Sequence, residues 1–171
     1  VQLVLSRASL DRIYEVLETE PDIEGAASDL TVADGSVVFD HVNFSYSNNK
    51  DNLTLEDINL DIKSGETVGI IGGTGDGKSS LVQLIPRFYD VLGGAVIVGG
   101  HNVKDYSLYN LREGVSMVLQ KNVLFSGTIR ENLLWGNEYA TDEQIAEACK
   151  AACADEFING FPDGYETDLG Q

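Results

Sequence analysis

The stretch Gly72–Ser79, read Gly-Gly-Thr-Gly-Asp-Gly-Lys-Ser, constrains this chain more than any other. It has the spacing of a phosphate-binding loop: a glycine, four residues, then Gly-Lys and a hydroxyl residue. The apolar run Thr67–Ile71 precedes it and Ser80–Ile85 follows, which predicts a strand, the loop and a helix in that order. Gly72, Gly73, Gly75 and Gly77 let the backbone curl and approach an anion closely, because no Cβ blocks positive φ or the ligand. Successive amides, including those of Thr74, Asp76 and Ser80, then form an anion nest. Lys78 can reach the outer phosphates as a mobile charge, and Ser79 offers a hydroxyl to Mg²⁺. These features predict a nucleotide-phosphate site.

Charge narrows the choice of partner. The 171 residues carry 28 acidic and 11 basic side chains, a formal net charge of −17. A surface for nucleic acid or anionic lipid needs a basic field, so this balance argues against both. An anionic nucleotide must therefore be held locally, by loop amides and Lys78. With 43% hydrophobic and 23% charged residues, the composition is that of an ordinary globular domain. No apolar run approaches the length that crosses a bilayer. The chain opens on Val1 and its one methionine is Met117, which favours an excision from something longer.

Cys149 and Cys153 lie four residues apart in a helical pattern, about 5 to 6 Å between Cβ atoms, too far for an unstrained disulfide. No further ligand lies nearby, so both are expected to be small buried thiols. His41 and His101 have no neighbouring ligands either and read as surface or strand residues.

Along the chain, Leu10, Ile13, Tyr14 and Leu17 recur at helical spacing, predicting an amphipathic helix over residues 1–19 that ends at Pro21 and a small, polar run. From Ser36 the pattern turns to strands: Val37–Phe39, Val42–Tyr46 and Leu55–Ile62, with a loop over Ser47–Asn52. After the loop helix, which should end near Pro86–Tyr89, a strand is expected at Ala95–Val98. The apolar run Val115–Leu119 stops at Gln120. Beyond Gly127 the pattern is helical, over Ile129–Leu134 and Asp142–Ala154.

Several of these stretches together resemble the nucleotide-binding domain of ATP-binding-cassette (ABC) transporters of the exporter type. Phe44-Ser45-Tyr46 is similar to that family's aromatic loop, and Gly72–Ser80 to its phosphate loop. Pro86–Asp90 with Gly93-Gly94 is similar to the segment after the loop helix. Val118–Ile129 resembles the glutamine loop and is the most family-specific stretch. Ala8–Leu17 resembles the helix that follows an exporter's last membrane helix, and Thr167–Gln171 the start of its cross-loop.

The resemblance implies an α/β fold with a P-loop NTPase-type core, an antiparallel β subdomain and the start of a helical subdomain. It divides the chain into a linker helix over 1–30 and the first part of the ATPase domain over 31–171, with the helical subdomain from about 127. By the same likeness Tyr46 would stack on adenine, and Gln120 would contact Mg²⁺ and the attacking water. The cofactors implied are ATP and Mg²⁺; the partners are transmembrane domains and a second nucleotide-binding domain, and the place of work is the cytoplasmic face of the membrane.

Two departures stand out. Asp76 occupies a place where the family usually has a small residue such as Ser. A carboxylate about 6 Å from the phosphates opposes them by roughly 1 to 3 kcal/mol at an effective dielectric near 20, and by less if it faces solvent. In addition, the signature sequence, the apolar-Asp strand, the catalytic Glu and the switch His are not among the 171 residues. These residues should therefore bind MgATP but hydrolyse it poorly, and a chain ending at Gln171 should expose apolar surface where that strand normally packs.

Other readings of the same loop are a GTPase or small-molecule kinase and a nucleotide sensor that never turns over. The nearest text to a guanine motif, Asn49-Lys50-Asp51-Asn52, lacks the final Asp and precedes the loop.

Overall fold

The computed structural model describes residues 2–170, which divide after Met117 into two compact units. In the first unit a helix α1 (Gln2–Leu17) precedes strands β1 (Val37–Phe44) and β2 (Leu55–Ile62), helix α2 (Lys78–Leu84), strands β3 (Gly93–Val98) and β4 (His101–Asn102), and helix α3 (Leu108–Glu113). The strands make one antiparallel sheet in the order β2-β1-β3-β4.

Two bulges shape this sheet. Phe39 pairs with Leu60 but Val42 pairs with Ile58, so β1 carries an extra residue at Asp40-His41. Side chains three apart would normally face opposite sides of a strand. The inserted residue resets the phase, so Phe39, Val42 and Phe44 all lie buried on one face. His41 holds φ 48° and Asp57, across on β2, φ 47°. Their amides are satisfied by asparagines: His41 N–H donates to Asn59 Oδ1 at 3.0 Å, and Asp57 N–H to Asn43 Oδ1 at 2.9 Å. Gly94 faces the bulge from β3 at φ 79°, where an added Cβ would fall 2.3 Å from the carbonyl oxygens of Asp40 and His41.

The core joins this face to α2 and α3 through Leu84, Val96, Val98, Val103, Tyr106 and Leu111. Each such side chain removed from water contributes on the order of 1.5–3 kcal/mol. Tyr106 satisfies its buried hydroxyl by donating to Val98 O at 2.7 Å; that burial also raises its pKa. Residues 24–30 run along the core: Arg87 donates to Glu24 O at 3.1 Å, Ala26 N–H to Tyr106 O at 3.1 Å, and Asn110 Nδ2 to Leu30 O at 2.9 Å.

The strand expected over Thr67–Ile71 is not formed; the segment has no regular structure, and Ile71 is 99% exposed. Val115–Leu119 behaves alike, with Val118 88% exposed. Both have strand composition, but a strand needs a hydrogen-bonding neighbour, and among the described residues neither has one. The apolar stripe of α1 lies open as well, with Ile13, Tyr14 and Leu17 all exposed.

The second unit packs α4 (Ile129–Leu134), α5 (Asp142–Ala151) and α6 (Asp155–Asn159) around Ile129, Ile145, Cys149 and Ile158. Thr128 and Thr141 start α4 and α5 with reciprocal capping boxes to Glu131 and Gln144. The helix expected to run from Asp142 to Ala154 breaks instead at Cys153, whose φ is 55°. Ala154 N–H turns back to Cys149 O at 2.8 Å, ending α5. Cys149 is therefore buried as expected, whereas Cys153, swung out by that turn, is exposed; both thiols are free.

Candidate functional site

The glycine loop is built on the start of β2. Gly77, at φ 78°, immediately precedes α2, and an added Cβ there would lie 2.7 Å from Leu55 Cδ2 and 3.1 Å from Thr54 O. Only glycine combines that backbone with that contact. Gly75 is left-handed too, at φ 94°, so two positive-φ glycines bracket Asp76. No side chain caps the amino end of α2, which leaves amides of Lys78 and Ser79 unclaimed by a capping group.

Two side chains fold back over the loop. Lys78, partly buried, donates from Nζ to Gly72 O at 2.9 Å and to Gly73 O. The Asp76 carboxylate accepts from the Gly73 amide, and its Oδ2 lies 2.8 Å from where a Cβ on Gly72 would stand. Thr74, at the outer turn, is exposed.

Tyr46 leaves the end of β1 beside this loop. Its hydroxyl hydrogen-bonds the buried Ser80 Oγ at 2.8 Å and donates to Gln83 Oε1 at 3.3 Å. Its ring packs edgewise with Phe44 at 4.8 Å and with Tyr89 at 5.0 Å between centroids, yet the residue stays 54% exposed. The structure thus joins Tyr46 to the loop helix. Gln83 and Tyr89 were not singled out from sequence. The signal for Gln83 was available, because it lies three residues after Ser80 and so on the same side of α2.

Behind the site, Arg87 is buried at φ 53° and forks onto Asp90, with Nε–Oδ1 at 2.8 Å and Nη2–Oδ2 at 3.2 Å. The hydrogen bond from that guanidinium holds the Asp90 carboxyl below the usual carboxylate range. Arg112 donates to the carbonyls of Pro86 and Arg87 while its guanidinium lies 5.4 Å from the Phe88 ring centre. These two arginines fix the chain leaving α2, and with it Tyr89 against Tyr46.

Gln120 belongs to the second unit, where it is exposed at a bend. Farther along that segment Asn132 pins the chain to α4: it accepts from Phe125 N–H at 2.8 Å and donates to Phe125 O and Thr128 O. Phe125 stacks on Trp135 at 4.7 Å.

Ser79 is exposed and carries the hard hydroxyl oxygen that Mg²⁺ accepts. Among the described residues no cluster of three or more His, Cys, Asp or Glu could hold a metal ion. The Ser79 hydroxyl fits a Mg²⁺ that is carried by phosphates and met by one or two protein oxygens, which is how this ion commonly binds.

A curled glycine loop opening a helix, with a lysine over it and an aromatic residue alongside, defines a P-loop nucleotide-binding protein. Residues 55–167 match the ABC transporter family model, so the chain belongs to the ABC transporter family. It is 44% identical over 161 residues to a multidrug export ATP-binding/permease protein of Staphylococcus aureus strain NCTC 8325, and 43% identical to one from the bovine strain RF122. Each alignment covers 93% of this chain and 28% of the relative. A solved structure of a bacterial Atm1-family ABC exporter with ATP bound matches with a TM-score of 0.86 at 30% identity, over 95% of this chain and 28% of that one. The fold expected from sequence, α/β of the P-loop NTPase type, agrees with that match.

Proposed function

We propose that this chain binds MgATP as part of the ATPase domain of an ABC exporter, where binding and hydrolysis drive transport through transmembrane domains at the cytoplasmic face of the membrane. The observation that carries the reading is the joining of Tyr46 to the loop helix at Ser80, 2.8 Å from hydroxyl to hydroxyl. In this reading the ring meets the base and the glycine loop the phosphates, and the likeness to an exporter with ATP bound supports nucleotide binding.

In this reading amides of the Gly72–Ser80 loop hold the phosphates, apart from that of Gly73, which Asp76 claims, and Lys78 exchanges its two loop carbonyls for phosphate oxygens, gaining charge-assisted bonds. Ser79 would offer its hydroxyl oxygen to Mg²⁺, and the family likeness assigns Gln120 the roles of contacting that ion and orienting the attacking water. When bound, Mg²⁺ would supply positive charge against that developing on the transferring phosphate. A second nucleotide-binding domain completes the site, so this chain alone binds nucleotide and turns it over slowly. Residues 1–30 act as the link to the membrane-spanning part, and the helical subdomain begins near residue 127.

Calorimetric titration with MgATP tests the site. Lys78→Ala is expected to weaken binding by at least about a hundredfold, having lost a charge-assisted contact to the phosphates. Tyr46→Ala should weaken it by about tenfold through lost stacking, while Tyr46→Phe keeps most of the affinity. Binding that survives Lys78→Ala unchanged, or a clear preference for GTP, defeats the proposal.

A further inference from the structure

The position of Asp76 suggests a specificity role that no feature of the loop pattern requires. A carboxylate on an exposed loop would ordinarily turn to water, where its field on a bound ligand is weak. Here the Gly73 amide holds it, and its oxygens lie against Gly72 and Gly73, 2.8 Å and 3.3 Å from the places their Cβ atoms would occupy. The glycines at 72 and 73 leave the room it fills. Gly75 and Gly77, both at positive φ, fix the backbone on either side of it. The negative charge is thus built into the wall of the anion nest, on the same limb whose carbonyls hold Lys78.

We propose that Asp76 makes nucleotide binding conditional on a divalent cation, by penalising each ligand in proportion to its net negative charge. The inference rests on the nucleotide-binding reading above. A fixed charge repels free ATP, at about four negative charges, roughly twice as strongly as the same nucleotide complexed to one divalent cation. For charges about 6 Å apart, even a water-like dielectric makes that difference worth about tenfold in affinity. A loop with a neutral residue at 76 lacks this discrimination and admits metal-free nucleotide more readily. Asp76 here is a specificity residue, and the Gly73 amide is the group that positions it.

The experiment is a titration of the full 171-residue chain with ATP, once with excess Mg²⁺ and once with chelator, for the wild type, Asp76→Asn and Asp76→Glu. Asp76→Asn keeps the shape and an oxygen that can accept from Gly73; Asp76→Glu keeps the charge. The expected result is a ratio of magnesium-supported to metal-free affinity about tenfold larger in the wild type and in Asp76→Glu than in Asp76→Asn. That excess should shrink as salt is raised, because the groups are exposed. Equal ratios in the wild type and Asp76→Asn overturn the proposal and leave the nucleotide-binding reading standing. Binding that Lys78→Ala does not weaken, or no binding in any variant, overturns that reading and this inference with it. Circular dichroism of Asp76→Asn checks that the fold is retained; if it is not, Asp76→Ser takes its place with the same expectation.

Discussion

The strands β1 and β3 and the segment Thr67–Ile71 are equally apolar and rich in β-branched residues, yet they end in opposite conditions. Phe39, Val42 and Val96 are buried in a paired sheet, whereas Ile71 stands almost wholly in solvent. Composition does not separate them. What separates them is the supply of partners: β1 has β2 and β3 on its two sides, and Thr67–Ile71 has none among the described residues. A strand-like sequence is a demand for neighbours, and only the paired register of a real ladder turns it into stability. The part of the chain that feeds the glycine loop is therefore held mainly by the loop's own far end, where Gly77 rests on Leu55 and Thr54.

Substitution in the two regions should expose that contrast most strongly at large side chains. Phe39→Ala removes a ring from a closed core and is expected to cost about 3–5 kcal/mol in denaturant unfolding. Ile71→Ala removes a side chain already in water and should change stability by no more than about 0.5 kcal/mol. Comparable losses at both sites would mean that the loop strand is paired in solution.

Glycines give a smaller version of the same comparison. Gly94→Ala forces a Cβ onto two carbonyl oxygens at a left-handed φ and should cost about 2 kcal/mol or more. Gly69→Ala, in the unpaired segment, meets nothing within 4 Å and needs no positive φ. It is expected to be neutral or slightly stabilising, since alanine narrows the unfolded ensemble. Melting both variants beside the wild type decides this, and a destabilised Gly69→Ala would place a neighbour over that segment.

The same distinction explains which features were legible in the sequence. Leu55–Ile62 was readable to the residue because its alternation is local, and the glycine loop because its spacing is. β1 read as two pieces, Val37–Phe39 and Val42–Tyr46, since the bulge that joins them depends on Gly94, some fifty residues away along the chain. The break between α5 and α6 lacked a stop signal: Ala151-Ala152-Cys153 contains no Gly or Pro, and the turn is made by a cysteine at φ 55°. Within the site, residue types and their order were legible, including Tyr46 and Lys78. The bonds of Asp76 to Gly73 and of Tyr46 to Ser80 were not, because they depend on rotamers and on the approach of β1 to α2.

The smallest expected effect lies at the bulge itself and tests whether the paired region carries a titratable clasp. His41 Nδ1 and Asp57 Oδ1 are 2.6 Å apart on adjoining strands, at two residues that both hold positive φ. The hydrogen bond to Asp57 raises the pKa of His41 above its ordinary 6.5, and the same bond lowers that of Asp57 below its ordinary 3.8. For His41, whose folded value is the higher one, the contribution to stability is full below pH 6.5 and is lost as pH rises through the folded value. For Asp57, whose folded value is the lower one, it is full above pH 3.8 and is lost as pH falls through the folded value. Stability from this pair is therefore a plateau between those limits, falling on the alkaline side above pH 6.5. Both groups are open to solvent, so the plateau is shallow and flattens further in salt. Urea midpoints measured from pH 5 to pH 9 should decline slightly above pH 6.5 in the wild type and lose that step in His41→Asn. A step that persists in His41→Asn would assign the titration to another group.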